Sequence, residues 1–514
     1  MERLAYDRAL EIIEACSKQQ GTDISLKGLG LTRLPPEIGK LTHVSELFLQ
    51  NNNLRELPPE IGKLSSLTVL RLDNNQLSGL PPEIGFLSNL TVLRLDSNQV
   101  SILPPEISRL GRLTWLSLFG NRLERLPLEI GELPRLAWLQ LSENQLDSLP
   151  GAIGKLASLA ELHLSNNRLG TLPPEIGGLE DLSVLHLDNN QLWSLPPEIG
   201  MLASLTKLFL SNNQLSSLPP EIARLDNLTL LRLDSNQMSA LPPEIGSLAK
   251  LQRLSVSDNQ LTALPPEFAR LARLSWLQLS DNMLVTLPPE IGRITELTEL
   301  YLSSNQIAVF PPEIGNLTNL TKLFASNNQL TTLPPEIGKL TSLTWLALYG
   351  NRLTALPPEI GKLVSLARLA LSDNQLAGLP AQIGQLTLLS HLHLFNNHLT
   401  TLPEKIGRLT QLELLILENN ALRELPATMR GLVRLKMLTL HGNDALGLPA
   451  DLLGPTFAKS ADDNPPAKPT DILHHYFSRN GIPAAAVNSP RPLSTSGGSA
   501  VASTTKRKWW KFWE

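Results

Sequence analysis

His163 and His186 stand 23 residues apart and His391 and His393 two apart, the kind of pairing from which a metal site is built. Zinc takes three or four ligands in a tetrahedron, and no third candidate stands at a fixed spacing from either pair, so no metal or cofactor is expected. Cys16 is the single cysteine. No histidine accompanies it in sequence to draw off its proton, which makes it a small packed residue rather than a nucleophile. The string G-x-x-x-x-G-K-[ST], whose backbone cradles nucleotide phosphates, occurs nowhere in the chain. These residues give no ground for expecting catalysis.

The chemistry that remains is recognition by large rings. Aromatic residues make up only 4% of the chain, yet many recur at fixed offsets before a repeated asparagine. Trp115, Trp138, Trp276 and Trp345 lie six residues before one; Phe48, Phe209, Tyr301 and Phe324 lie four before; Phe119, Tyr349 and Phe395 lie two before. If those three columns point outward from a sheet, they place rigid apolar anchors on solvent-facing backbone, where protein interfaces use them. The bland alternative is that the rings stack on one another and shield a long flat sheet. Arg71, Arg94 and Arg232 each precede an aspartate (Asp73, Asp96, Asp234) by two residues, which predicts a solvated ion-pair lattice of small energetic worth. Such charges can still select a partner and speed encounter.

The asparagine that fixes these columns recurs every 23 residues without insertion or deletion: Asn52, Asn75, Asn98, Asn121, Asn144, Asn167, Asn190, Asn213, Asn236, Asn259, Asn282, Asn305, Asn328, Asn351, Asn374, Asn397, Asn420 and Asn443. A partial copy precedes them, with Leu26 and Leu31 in register and Leu29 at the asparagine position. Self-similarity at a fixed period implies a solenoid in which each unit packs on its neighbours. In the unit at residues 67–89, Leu70 and Leu72 alternate with Val69, Arg71 and Asp73, the period of a short strand with one buried face. Pro81 and Pro82 remove two backbone donors, so the opposite side cannot form a second ladder and must be extended or single-turn helical. The bulkier side forces the stack to curve with its strands inside. Where the chain turns inward after the strand, the asparagine amide offers donors and an acceptor to backbone groups that no ladder satisfies. Burying seven aliphatic side chains gains on the order of 10–20 kcal/mol per unit, and ordering 23 residues costs about 1.5 kcal/mol each, so units need neighbours and ends need caps.

The pattern L-x-x-L-x-L-x-x-N-x-L, visible from Leu67 to Leu77, resembles the leucine-rich repeat family. The 23-residue length and the LPPEIGxL half are similar to the intracellular Ras-group and Roco-type branch. The resemblance implies an α/β solenoid, a curved horseshoe with a concave parallel sheet and a convex side of irregular or 3-10 segments. It also implies a concave face that binds another protein, in intracellular signal transduction. The segment NPPAKPTDILHHYF is similar to the one that joins repeats to the GTPase module of Roco proteins, but the phosphate-binding string of such a module is missing. Bacterial repeat-bearing ubiquitin ligases need a catalytic cysteine in a large C-terminal domain, which this chain does not offer.

Around residues 23–453, the array, the expected organisation is a capping helix at 1–22, a linker with a short helix at 454–480, and a serine- and glycine-rich disordered tail at 481–514. The tail ends in KRKWWKFWE, where Lys508, Trp509, Trp510, Phe512 and Trp513 make a candidate for weak membrane-surface contact. A net charge of −4 gives no electrostatic reason to expect a nucleic-acid partner. The charged N-terminal stretch lacks the hydrophobic core of a signal peptide, no apolar run is long enough to span a bilayer, and one cysteine cannot staple an extracellular repeat protein. The expected location is cytoplasmic, which makes the N-x-T triplets at Asn89, Asn227, Asn316 and Asn319 coincidences of the repeat.

Overall fold

A computed structural model describes residues 2–460 and 467–482. The chain falls into two compact units, residues 1–278 and 279–514. Each is a leucine-rich solenoid of the expected class, with parallel three-residue strands on one side and five-residue 3-10 turns on the other.

In the first unit the strands run from Asp23–Ser25 to Trp276–Gln278, each in parallel register with the next one period on, as in Val69↔Val92, Leu70↔Leu93 and Arg71↔Arg94. The second unit repeats this from Glu299–Tyr301 to Met437–Thr439. Strand leucines such as Leu70 and Leu72 are fully buried, while their outward neighbours remain partly exposed. The proline side behaves as its missing donors require. Pro81 is extended at φ −70°, Pro82 opens the turn Pro82–Phe86, and the Ile84 amide donates to the Pro81 carbonyl at 3.0 Å. Ile84 points inward and is completely buried. Neighbouring turns pack closely: a Cβ added at Gly62 would lie 2.6 Å from the Glu83 carbonyl oxygen, which accounts for the glycine of PEIG there.

The ladder asparagine meets three backbone needs at once. Asn75 Oδ1 accepts from the Leu54 amide at 3.0 Å, and its Nδ2 donates to the carbonyls of Leu49 and Leu72, each at 3.0 Å. One side chain thus joins its own repeat to the previous one in the core. The residue before it is left-handed: Asn51, Asn74 and Ser97 have φ of 61°, 55° and 55°, and Gly120 65°. That conformation explains why this position holds asparagine, aspartate, serine or glycine in nearly every repeat.

The N-terminal helix, Glu2–Gln19, buries Ala9 and Ile13 against the first repeat, whereas Leu4 is 78% exposed. Burial and nearby Asp23 raise the pKa of the Cys16 thiol, the opposite of what a reactive cysteine needs. After the last strand come a short helix, Ala450–Leu453, and a longer one, Pro469–Arg479. The latter buries Ile472, Leu473, Tyr476 and Phe477 at the end of the array. Tyr476 Oη accepts from the Leu425 amide at 3.1 Å, and the Arg430 guanidinium lies 4.5 Å from the centre of the Phe477 ring.

Candidate protein-binding face

All three outward columns lie on the sheet face, because period-2 alternation turns every residue flanking a buried strand leucine to the same side. In the first unit their rings join into one file. Trp115 and Trp138 stack at 4.3 Å with planes 4° apart, and Trp138 meets His163 at 4.5 Å. His163 stacks on His186 at 4.6 Å, and His186 on Phe209 at 4.1 Å. Phe209 lies under the Arg232 guanidinium at 5.9 Å, and Trp276 under that of Arg253 at 5.3 Å. Phe119 stands on the third column, half-buried, its amide donating to Asp96 Oδ1 at 3.0 Å. Phe48 is half-buried near the start of the array.

The two histidines are part of this aromatic file. Burial and the neighbouring His186 lower the pKa of His163 in spite of Glu161, whose Oε2 is 3.2 Å from its Nε2. Among the described residues no cluster of three or more histidine, cysteine, aspartate or glutamate side chains could hold a metal ion. The sequence placed His163 beside His186 but did not reveal that they bridge Trp138 to Phe209.

In the second unit Tyr301 stacks on Phe324 at 5.0 Å, Phe324 meets Trp345 edge-on at 4.8 Å, and Arg368 covers Trp345 at 4.6 Å. Tyr301 Oη donates to Glu299 Oε2 at 2.5 Å, and Lys322 bridges to Glu299 at 3.0 Å. Tyr349 and Phe395 lie half-buried on the third column. Further along this face the chain itself lies on the sheet. Phe457 packs against His393, the Phe457 amide donates to Glu418 Oε1 at 2.6 Å, and His441 Nε2 is 2.9 Å from the Gly454 carbonyl oxygen. His393, Glu418 and His441 all belong to outward columns, so residues 454–460 form a strap across them. The outward Ile416 and Thr439 are correspondingly buried.

The expected ion-pair lattice forms only at the front. Arg94 reaches Asp73 at 3.1 Å and Asp96 at 3.0 Å, and Arg71 reaches Asp73 at 3.4 Å. Burial, followed by the hydrogen bond with Asp96, raises the pKa of Asp73. Arg232 does not join Asp234. That carboxylate is taken by Ser255 Oγ and the Ser257 amide, at 2.5 and 2.8 Å, leaving Arg232 over Phe209 with no ion pair among the described residues.

Two features escaped the sequence reading. Trp193, three residues after a ladder asparagine, is 60% exposed away from the strand columns. On the 3-10 side of the first unit, a groove of about 850 Å³ is lined by Leu128, Glu129, Gly151, Ala152, Glu175 and Met201 among others. It opens where Gly151 and Ala152 replace the usual Pro-Glu, a departure that comparison of the repeats could have found. The tail residues Lys508, Trp509, Trp510, Phe512 and Trp513 lie outside the described residues.

Comparison with known proteins assigns the family. A leucine-rich repeat region profile matches residues 127–208, 229–329 and 312–397, and a leucine rich repeat profile matches 65–123, 180–238 and 389–444. The chain belongs to the leucine-rich repeat family. No curated protein gives a significant match to it. Among solved structures, a leucine-rich repeat protein of Leptospira interrogans is 37% identical over 70% of this chain and 93% of its own, with a TM-score of 0.57. The plant peptide hormone receptor RGFR1, in complex with RGF2, is 32% identical over 82% of this chain and 78% of its own, at 0.65. YopM from Yersinia enterocolitica is 30% identical over 82% of this chain and 92% of its own, at 0.52. Proteins of this family generally mediate protein–protein interaction. Among the described residues, no helix is long and apolar enough to cross a membrane.

Proposed function

We propose that this leucine-rich repeat chain is a non-catalytic, cytoplasmic scaffold that takes a protein partner on its sheet face, in intracellular signal transduction. Binding alone is the mechanism. Aromatic edges bury into the partner, and the charged side chains beside them choose which partner. One observation carries the reading: the large rings of the outward columns are held rigid by their neighbours yet remain half-exposed, while the inward leucines of the same strands are fully buried. Stacking alone would shield ring faces and leave this surface without use. The RGFR1 complex with RGF2 lends support from a relative. The 23-residue repeat and the NPPAKPTDILHHYF segment favour the Ras-group and Roco-like branch, in which this chain is a regulator or remnant of a GTPase system without the GTPase.

The test is affinity capture with crosslinking mass spectrometry, comparing the native chain with Trp276→Ala plus Trp345→Ala. The double variant should lose the main partner while its circular dichroism is unchanged. Capture that persists removes the sheet-face reading. The sequence KRKWWKFWE favours a second role, a membrane-surface tether added to the scaffold. Co-sedimentation with anionic liposomes should then require the residues beyond Arg491.

A further inference from the structure

From the strand Glu46–Phe48 onward, the outward strand residues of both units are half-buried or buried, with three exceptions. Lys207, Arg232 and Arg253 are exposed, and they fall on three consecutive strands. The registers Lys207↔Leu230↔Arg253 and Phe209↔Arg232↔Ser255 put Arg232 diagonally between the other two.

Elsewhere on the sheet face, cations are ion-paired or, as with Arg368 over Trp345, half-buried against a ring. Arg71 and Arg94 are paired with aspartates, Lys322 with Glu299 and Lys436 with Glu413. Lys207, Arg232 and Arg253 have no ion-pair partner among the described residues. The two nearby carboxylates are engaged: Asp188 accepts from the Ser211 amide at 2.9 Å, and Asp234 from Ser255 and Ser257. Phe209 and Trp276 flank the three cations, each lying against one of the arginines.

We propose that this patch is the specificity element of the face, and that it takes an acidic side-chain pair on an extended peptide segment of the partner. The inference rests on the sheet-face reading above. Three strand spacings of about 4.8 Å separate the strand of Lys207 from that of Trp276, roughly 14 Å, which about four or five extended residues cover. Two guanidiniums and an ammonium held on a sheet match carboxylate oxygens in charge and in forked geometry. The rings accept the flanking apolar or aromatic side chains. A long polyanion fits poorly, because Asp73, Asp96, Glu161 and Asp188 lie on the same face towards the front of the array. The strap gives an internal precedent for the binding mode. Residues 454–460 lie on outward columns of the second unit, anchored by one ring, Phe457, and one charge-assisted hydrogen bond to Glu418.

The test uses the full chain and a fluorescein-labelled peptide of about ten residues, with two central glutamates flanked by tyrosines, read by fluorescence anisotropy. A glutamine counterpart and a single-stranded oligonucleotide of similar length are the comparison probes. The glutamate peptide should bind, and the glutamine peptide should bind roughly tenfold more weakly. Arg232→Glu with Arg253→Glu should abolish the preference, and affinity should fall as ionic strength rises. Both positions are exposed, so unchanged thermal unfolding of the variant will show that the array persists. Equal binding of the two peptides, indifference to the charge reversal, no binding of the glutamate peptide, or tighter binding of the oligonucleotide overturns the assignment. If the peptides bind equally and both are lost in Trp276→Ala, the acidic-peptide assignment fails while the sheet-face reading stands.

Discussion

The ring of Phe457 stands edge-on to that of His393, centroids 5.4 Å apart and planes at 84°. The contact seals His393, 4% exposed, between the sheet and the strap. Burial, with smaller contributions from His391 and Arg368, lowers its pKa from the usual 6.5 to about 3. The folded state therefore refuses a proton that the unfolded chain accepts below about pH 6.5. Stability is at its full value above that pH and is lost as pH falls towards 3, by up to about 1.4 kcal/mol per pH unit. His393→Phe keeps a ring in place and removes the titration. Urea midpoints at about pH 7.5 and about pH 4.5 should fall less in the variant than in the native chain.

The same contact makes the strap separable from the array. Phe457→Ala removes its ring anchor, and Glu418→Gln weakens the charge-assisted bond to the Phe457 amide. Either change should speed amide hydrogen exchange across residues 454–460 by about tenfold while leaving the strand Met437–Thr439 protected. Exchange measured by mass spectrometry checks this, and equal loss of protection in the strand would show that the strap is needed to hold the last repeat.

In the ladder, Asn213 Oδ1 accepts from the Leu192 amide at 3.0 Å, and Nδ2 donates to the carbonyls of Leu187 and Leu210 at 2.9 and 3.0 Å. Asn213→Leu preserves volume but leaves the Leu192 amide without its acceptor. It also takes one of two amide donors from each carbonyl, since Asn190 Nδ2 also donates to Leu187 and Asn236 Nδ2 to Leu210, each at 3.0 Å. The expected cost is about 3 kcal/mol, concentrated in the neighbouring repeats because a solenoid's couplings are local. Calorimetry should show a broadened or split transition. Asn213→Asp keeps the acceptor but buries a carboxylate against the Leu187 and Leu210 carbonyl oxygens, so it should not rescue the loss.

What could be read from the sequence, and what could not, divides along the repeat. Leu70, Pro81 and Asn75 each have one physical job and recur, so their roles follow from period and chemistry. The outward columns followed from the same period, which placed Trp115 beside Trp138. The His163–His186 bridge to Phe209 and the mismatch of Arg232 with Asp234 depend on rotamers and on Ser255, and no periodicity contains them. The strap was invisible for another reason. Residues 454–460 occur once and owe their placement to contacts outside the repeat pattern: the Phe457 ring on His393, the Phe457 amide on Glu418, and the Gly454 carbonyl beside His441 Nε2.

Glu143 breaks the rule of the left-handed position. It sits at φ 57° where other repeats place asparagine, aspartate, serine or glycine, and its side chain has no short polar arm to stabilise that conformation. A left-handed L-residue costs roughly 1–2 kcal/mol, and glycine avoids it at some expense in unfolded-state entropy. Gly120 and Gly350, at the same position in other repeats, have φ of 65° and 67°, so the local fold accepts glycine without adjustment. Glu143→Gly should therefore stabilise the first unit by about 0.5–1 kcal/mol net, seen as a higher urea midpoint at constant slope. Asn74→Val, which places a β-branched side chain at φ 55°, should lower that midpoint. If Glu143→Gly instead destabilises, the glutamate side chain holds its turn by a contact that outweighs the backbone term.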